Sequence, residues 1–142
     1  MENLEILYTT EALATGEGRN GHVRTADGSF EANLAVPKEM GGSGKGNNPE
    51  QLFAAGYAAC FHSALQMVAR AQKKNIEGSA VGAKVSIGKQ GEGFGLAVVL
   101  EVVIPEMEHA EAQALADAAH QVCPYSNATR GNIPVDVIVT DD

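Results

Sequence analysis

Between Leu52 and Phe61 the chain offers one oxygen-bearing side chain, the Tyr57 hydroxyl, in ten consecutive residues. Asn48 is of the type that caps a helix, and Pro49 fits the first helical position, where its missing N–H costs nothing. No proline follows until Pro105, so a helix is predicted from Pro49 to about Lys74. A helix that is apolar all round must be covered on every side. Ala54, Ala55, Gly56, Ala58 and Ala59 let another backbone come close. One sheet in a chain of 142 residues covers such a helix with difficulty. A second copy is therefore expected to supply the missing cover, as an intertwined homodimer with the two Cys60 helices near its centre.

The length suits one domain over residues 1–142 with a sizeable core. Eighteen acidic against ten basic residues give a formal charge of -8, which argues against nucleic acid and anionic membrane surfaces as partners. No apolar run reaches membrane-spanning length, and residues 1–20 lack a basic start and an apolar core. The expectation is a soluble cytoplasmic protein without signal peptide or anchor. Two cysteines, Cys60 and Cys123, then lie in a reducing compartment. They are either independent buried residues or a working redox pair.

Around the helix the period is two. Leu4, Ile6 and Tyr8 alternate with polar neighbours and read as a first strand. Glycines at 16, 18 and 21 interrupt it. Strands over 22–26 and 29–36 flank Asp27-Gly28, read as a two-residue hairpin turn. Residues 37–46 form a glycine-rich loop. Strands over 81–88 and 94–104 follow, joined by a loop over 90–93. A helix is predicted over 106–122 with Leu115, Ala118, Ala119 and Val122 on one face. Pro124 stops it, 125–132 is a short turn or helical piece, and 133–140 is a final strand. The order is α+β with antiparallel hairpins.

Several motifs fail on geometry. Gly41-Gly42-Ser43-Gly44-Lys45-Gly46 resembles a phosphate loop, but its first glycine would fall at Glu39 and Gly46 stands where Ser or Thr is needed. His109 and His120 share a helix face about 16 Å apart, too far for one metal ion. His62 joins Gln66, Arg70 and Lys73 on a polar stripe and reads as solvated.

Cys60 is the stronger candidate. A thiol with a pKa of about 8.5 is only a few per cent thiolate at neutral pH. Lowering it by about three units needs roughly 4 kcal/mol of preference for the anion. The helix dipole cannot supply that about three turns in from the N-terminus. A fixed cation is required, and Arg19 is the candidate, because Gly16, Gly18 and Gly21 allow an unusual backbone path. The residues alone leave a solvated loop arginine as the simpler reading. Cys123 sits at a helix C-terminus, whose negative end disfavours a thiolate. If one cysteine attacks and the other resolves, Cys60 is the attacker.

The run Asn48-Pro49-Glu50-Gln51-Leu52-Phe53-Ala54-Ala55-Gly56-Tyr57-Ala58-Ala59-Cys60-Phe61 resembles the peroxidatic-cysteine helix of the OsmC/Ohr family. Val122-Cys123-Pro124-Tyr125-Ser126-Asn127-Ala128-Thr129-Arg130-Gly131-Asn132 is similar to the second cysteine motif of its organic hydroperoxide resistance (Ohr) branch. Gly18-Arg19-Asn20-Gly21 and Pro37-Lys38-Glu39-Met40-Gly41-Gly42 match as well, so the resemblance spans essentially the whole chain.

The resemblance implies an OsmC-like fold, with antiparallel sheets wrapped around a long central helix in an intertwined homodimer. It implies a thiol peroxidase for alkyl and fatty-acid hydroperoxides, with no bound cofactor or metal. Dihydrolipoamide or a lipoylated protein would be the electron donor. By that match Cys60 is peroxidatic, Cys123 resolves it through a Cys60–Cys123 disulfide, and Arg19 with Glu50 forms the ion pair around the thiolate. Phe53, Tyr57, Met40 and Phe94 are candidates for an apolar substrate mouth. Glu50 and Cys60 lie ten residues apart on one helix, about 15 Å along its axis. The Glu50 serving each Cys60 is therefore expected from the partner subunit. Two other classes remain: a binding protein for an apolar ligand with inert cysteines, and a redox sensor that signals through the same disulfide.

Overall fold

The computed structural model describes residues 3–141, and the chain divides into two compact units, Met1–Pro49 and Glu50–Asp142. In the first, β1 (Ala12–Thr15), β2 (His22–Thr25) and β3 (Glu31–Asn33) form an antiparallel sheet in that order. The strand predicted at Leu4, Ile6 and Tyr8 is not one: no strand is assigned there, and these side chains stand 87%, 70% and 80% exposed. Alternation specifies a strand only where one face is buried, and within this chain neither face is. The β2–β3 hairpin is present, with His22 opposite Asn33 and Arg24 opposite Glu31. Its turn is longer than the Asp-Gly pair suggested. Thr25 N–H donates to the Phe30 carbonyl, which leaves residues 26–29 as the loop. The Asp27 carboxylate organises it, accepting from the Thr25 hydroxyl at 2.9 Å and from the Ser29 amide and hydroxyl at 2.9 and 2.7 Å. The glycine-rich segment after β3 holds one 3-10 turn, Lys38–Met40, ended by Gly41 at φ 90°.

In the second unit α1 (Pro49–Ala71) is followed by β4 (Ala80–Gln90) and β5 (Gly93–Val103). Gln90 pairs with Gly93, so Gly91-Glu92 is a two-residue turn, with Gly91 at φ 58°. Then come α2 (His109–Val122), α3 (Pro124–Thr129) and β6 (Val135–Val139). The sheet order is β4-β5-β6. β6 runs parallel to β5, which corrects the expectation of purely antiparallel sheets. Parallel neighbours need a long crossover, and α2 with α3 provides it. α2 starts three residues later than predicted, because Glu106 adopts φ 61° and cannot begin a helix.

Register stacks the apolar positions in rows: Val85–Val98–Val135, Ala83–Leu100–Val137 and Val81–Val102–Val139. This face forms one core with α1 and α2. α1 contributes Tyr57, Phe61, Ala64, Leu65 and Ala69, which recur at helical spacing. Leu65, Leu100 and Leu115 are at most 1% exposed, each worth about 2 kcal/mol of apolar burial. The buried stripe of α2 is Ala112, Leu115, Ala116 and Ala119, rotated from the predicted face so that Val122 stands 45% exposed.

α1 is thus covered on one side within this chain, while Ala55, Ala59, Ser63 and Met67 are exposed. By length and composition it could cross a membrane, with mean hydropathy 1.3 over 18 residues, of which 28% are buried here. This corrects the expectation that no apolar run reaches membrane-spanning length: His62, Ser63 and Gln66 break the run without much lowering its mean. The helix ends at Ala71, and the chain turns away through Lys73, in the left-handed region at φ 58°, with Lys74 N–H returning to the Ala69 carbonyl at 2.8 Å.

Candidate active site

Two helical phases bring the cysteines together. Cys60 lies three residues after Tyr57 and four before Ala64, at the edge of the buried stripe of α1, and is partly exposed. Cys123 continues the stripe of α2 at four-residue steps, Leu115, Ala119, Cys123, and is fully buried. Both thiols are free, and the Cys123 S–H donates to the Cys60 sulfur at 3.6 Å. That is roughly 1.5 Å more than a disulfide bond.

Pro124 stops α2 and, because proline is also favoured at a first helical position, starts α3 at once. Cys123 is therefore the C-terminal cap of one helix and the N-terminal cap of the next. Its sulfur accepts the Ser126 N–H at 3.5 Å. The sequence reading had only the negative end of α2 facing Cys123. The positive end of α3 meets it on the other side. The neighbouring amide serves the other sulfur. Burial pushes the Cys60 thiol above its ordinary range, the Tyr125 N–H bonded to it opposes that rise, and the adjoining Cys123 adds to it. Successive amides of α3, Tyr125 and Ser126, thus address successive thiols.

A buried polar cluster holds this segment. The Tyr57 hydroxyl is 2.8 Å from the Ser126 hydroxyl and 3.1 Å from that of Thr129. His120 Nδ1 is 2.7 Å from the Ser126 hydroxyl. The Arg130 guanidinium donates to the His120 carbonyl, and to Asn127 Oδ1 at 2.8 Å. Above it Phe53, Tyr57 and Tyr125 form a ring cluster, with centroids 5.8 Å (Phe53–Tyr57), 6.1 Å (Phe53–Tyr125) and 5.6 Å (Tyr57–Tyr125) apart. Gly56 makes room for it: a Cβ there would fall 2.9 Å from the Tyr125 hydroxyl.

Of the residues singled out from the sequence, Cys60, Cys123, Phe53 and Tyr57 come together in the second unit. Phe53 is partly buried, but Tyr57 is 0% exposed and its hydroxyl is taken up by Ser126 and Thr129. Phe94 stands 68% exposed near the β4–β5 turn, opposite Lys89. Glu50 lies in the first turn of α1, which runs unbroken past Cys60. Arg19 and Met40 belong to the first unit. Arg19 is partly buried on a 3-10 turn, Gly18–Asn20, entered through Gly16 at φ 81°. A Cβ at Gly21 would lie 2.1 Å from the Thr15 carbonyl oxygen, so the turn requires glycine there. Met40 is 42% exposed.

His62 is not merely solvated: its Nε2 is 2.9 Å from the Ser79 hydroxyl. No group of three or more metal-ligating side chains occurs among the described residues. Tyr125, Ser126 and His120 join the site without having been singled out by the sequence pattern. The signal was the Pro124 after Cys123, which marks a helix start as well as a stop.

The OsmC-like protein family profile matches residues 42–138. An organic hydroperoxide resistance protein of Xanthomonas axonopodis pv. citri is 52% identical over 133 residues, covering 92% of this chain and 93% of that one. The crystal structure of an organic hydroperoxide resistance protein from Legionella pneumophila superposes with a TM-score of 0.92 at 52% identity, covering 96% of this chain and 99% of that one. One from Elizabethkingia anophelis, with crystallant-derived thiocyanate bound, gives 0.92 at 50% identity, covering 98% and 100%.

Proposed function

The chain belongs to the OsmC family and to its organic hydroperoxide resistance branch, and from that premise we propose that it reduces organic hydroperoxides to alcohols as a thiol peroxidase. The observation that carries the reading is the approach of two free thiols, 63 residues apart in sequence, to 3.6 Å. Relatives named for organic hydroperoxide resistance supply the substrate class.

The Cys60 thiolate attacks the terminal peroxide oxygen. The O–O bond breaks, the sulfur gives up two electrons, and the alkoxide leaves and takes a proton as the alcohol. Cys60 is then a sulfenic acid. The Cys123 sulfur attacks it, the S–O bond breaks, and water departs with the Cys123 proton as the disulfide forms. A dithiol returns two electrons and two protons by thiol–disulfide exchange and is itself oxidised to a disulfide. Dihydrolipoamide or a lipoylated protein is the donor we assign.

The weak point in the chain's own chemistry is the first step, because burial disfavours the Cys60 anion and a single backbone amide works in its favour. Arg19 fills that need: a guanidinium stabilises the thiolate and then the departing alkoxide, and Glu50 can hold it by a bidentate carboxylate fork. Since α1 is continuous, Glu50 cannot reach the Cys60 of its own chain. We assign it to the partner subunit of a homodimer that covers the exposed Ala55–Ala59 side of α1. Phe53, Met40 and Phe94 are the proposed apolar mouth that favours alkyl peroxides over hydrogen peroxide, while Tyr57, buried beneath Phe53, supports it from behind. The reducing cytoplasm is the compartment such a cycle needs.

The test is turnover of cumene hydroperoxide with dihydrolipoamide. Cys60→Ser should abolish it, and Cys123→Ser should stop after one equivalent of sulfenic acid trapped at Cys60. Undiminished turnover by the Cys60 variant would refute the mechanism. Unreactive thiols in the wild-type chain would instead favour a non-catalytic binding protein.

A further inference from the structure

Counting protons in the cluster beneath Cys123 gives every bond a direction. The Thr129 hydroxyl donates to the Ser126 carbonyl at 3.2 Å, which uses its only proton. The 3.1 Å bond between Tyr57 and Thr129 must then be donated by Tyr57. With the Tyr57 proton spent, the 2.8 Å bond to Ser126 must be donated by the Ser126 hydroxyl. With that proton spent, the 2.7 Å bond between Ser126 and His120 has one remaining source, the Nδ1–H of His120. The chain runs one way, from His120 through Ser126 and Tyr57 to Thr129, and closes on the backbone of Ser126 itself.

We propose that His120, as its Nδ1–H tautomer, is a positioning residue for disulfide closure. It holds the Ser126 hydroxyl, and the backbone N–H of the same residue caps the Cys123 sulfur. Ser126 is 0% exposed and clamped from α1 by Tyr57, from α2 by His120 and from α3 by Thr129. The Arg130 guanidinium on the His120 carbonyl ties the far end of α3 to the same turn of α2. His120 touches neither sulfur. Its effect falls on the step in which the Cys123 thiol loses its proton and displaces the hydroxyl of the Cys60 sulfenic acid, because the Ser126 amide that steadies the developing thiolate is held in place through it.

This rests on Cys123 as the resolving thiol, and the experiment separates the two ideas. Rapid mixing with one equivalent of cumene hydroperoxide resolves Cys60 oxidation from disulfide closure. His120→Leu should leave oxidation at its wild-type rate and slow closure by about tenfold, the scale of one buried hydrogen bond lost. His120→Asn places an amide N–H where Nδ1–H stands and should restore closure to within about threefold. Ser126→Ala, which keeps the amide but removes the hydroxyl, should be as slow as His120→Leu and serves if the leucine variant fails to fold. Nitrogen NMR of the wild-type ring should find Nδ1 protonated and Nε2 bare. Unchanged closure in His120→Leu or Ser126→Ala overturns the positioning role while leaving the peroxidase reading intact, and an Nε2–H tautomer overturns the directed chain. A wild-type Cys60 that peroxide never oxidises refutes the peroxidase reading itself, and this role with it.

Discussion

Replacing Tyr57 by Phe removes one oxygen from a site that is 0% exposed and leaves the ring packing in place. The oxygen accepts from the Ser126 hydroxyl at 2.8 Å and donates to that of Thr129 at 3.1 Å. Loss of both leaves a buried donor on Ser126 without an acceptor and removes the donor to Thr129. Two neutral bonds at about 1 kcal/mol each, plus an unsatisfied buried hydroxyl, give a loss of about 2–3 kcal/mol. No cavity term is added, since Phe fills the space. Urea unfolding followed by circular dichroism should show the midpoint lowered by about 1 M with an unchanged slope. A double-mutant cycle with Thr129→Val should return a coupling of about 1 kcal/mol, because the two hydroxyls share one bond. A loss below about 0.5 kcal/mol would mean that the hydroxyl chain is not formed in solution.

Three further outcomes follow. Arg19→Ala in a Cys123→Ser background should raise the Cys60 thiol pKa by about one unit or more, read from the pH dependence of iodoacetamide alkylation. Arg24→Ala, whose guanidinium meets Glu31 at 3.3 Å on the hairpin, should not move it; equal shifts for both would discard the ion-pair assignment. Gly56→Ala gains about 1 kcal/mol of helix propensity but places a Cβ 2.9 Å from the Tyr125 hydroxyl, which must move aside. Stability should change by less than about 1 kcal/mol while the Tyr125 amide loosens on Cys60 and its thiol pKa rises, so an unchanged alkylation profile would count against that contact. His120 is depressed below its ordinary 6.5, by burial first and then by Arg130, with Asp117 opposing. The unfolded chain therefore takes the proton at higher pH than the folded one. The stability from this group is fully present above 6.5 and is lost as pH falls through the lower folded value. Urea midpoints at about pH 7.5 and about pH 5 should differ less in His120→Leu than in wild type, and equal differences would rule His120 out as the source.

The long helix, the cysteine within its apolar run and the strands that follow it were legible because each is a local pattern. Period two marks Val81 to Ile87 and Phe94 to Ile104, the apolar run from Leu52 to Phe61 marks the long helix, and proline punctuates at 49 and 124. The family was legible for the same reason, since its motifs are short runs of contiguous residues. The alternation of Leu4, Ile6 and Tyr8 misled because a pattern names a face without saying whether anything covers it.

What the order of residues left open is everything that depends on two segments meeting. That β6 lies parallel to β5 follows from how α2 and α3 cross the sheet. The 3.6 Å between the sulfurs depends on the rotation of α2 by a fraction of a turn, enough to move the buried stripe from Val122 to Cys123. The second role of Cys123, as a helix cap, depends on the backbone turning at Pro124. So do the amides that reach each sulfur and the hydroxyl chain that holds them. Spacing along a chain sets which side of an element a group occupies, whereas hydrogen bonds need tenths of an ångström, and only the packed tertiary structure supplies them.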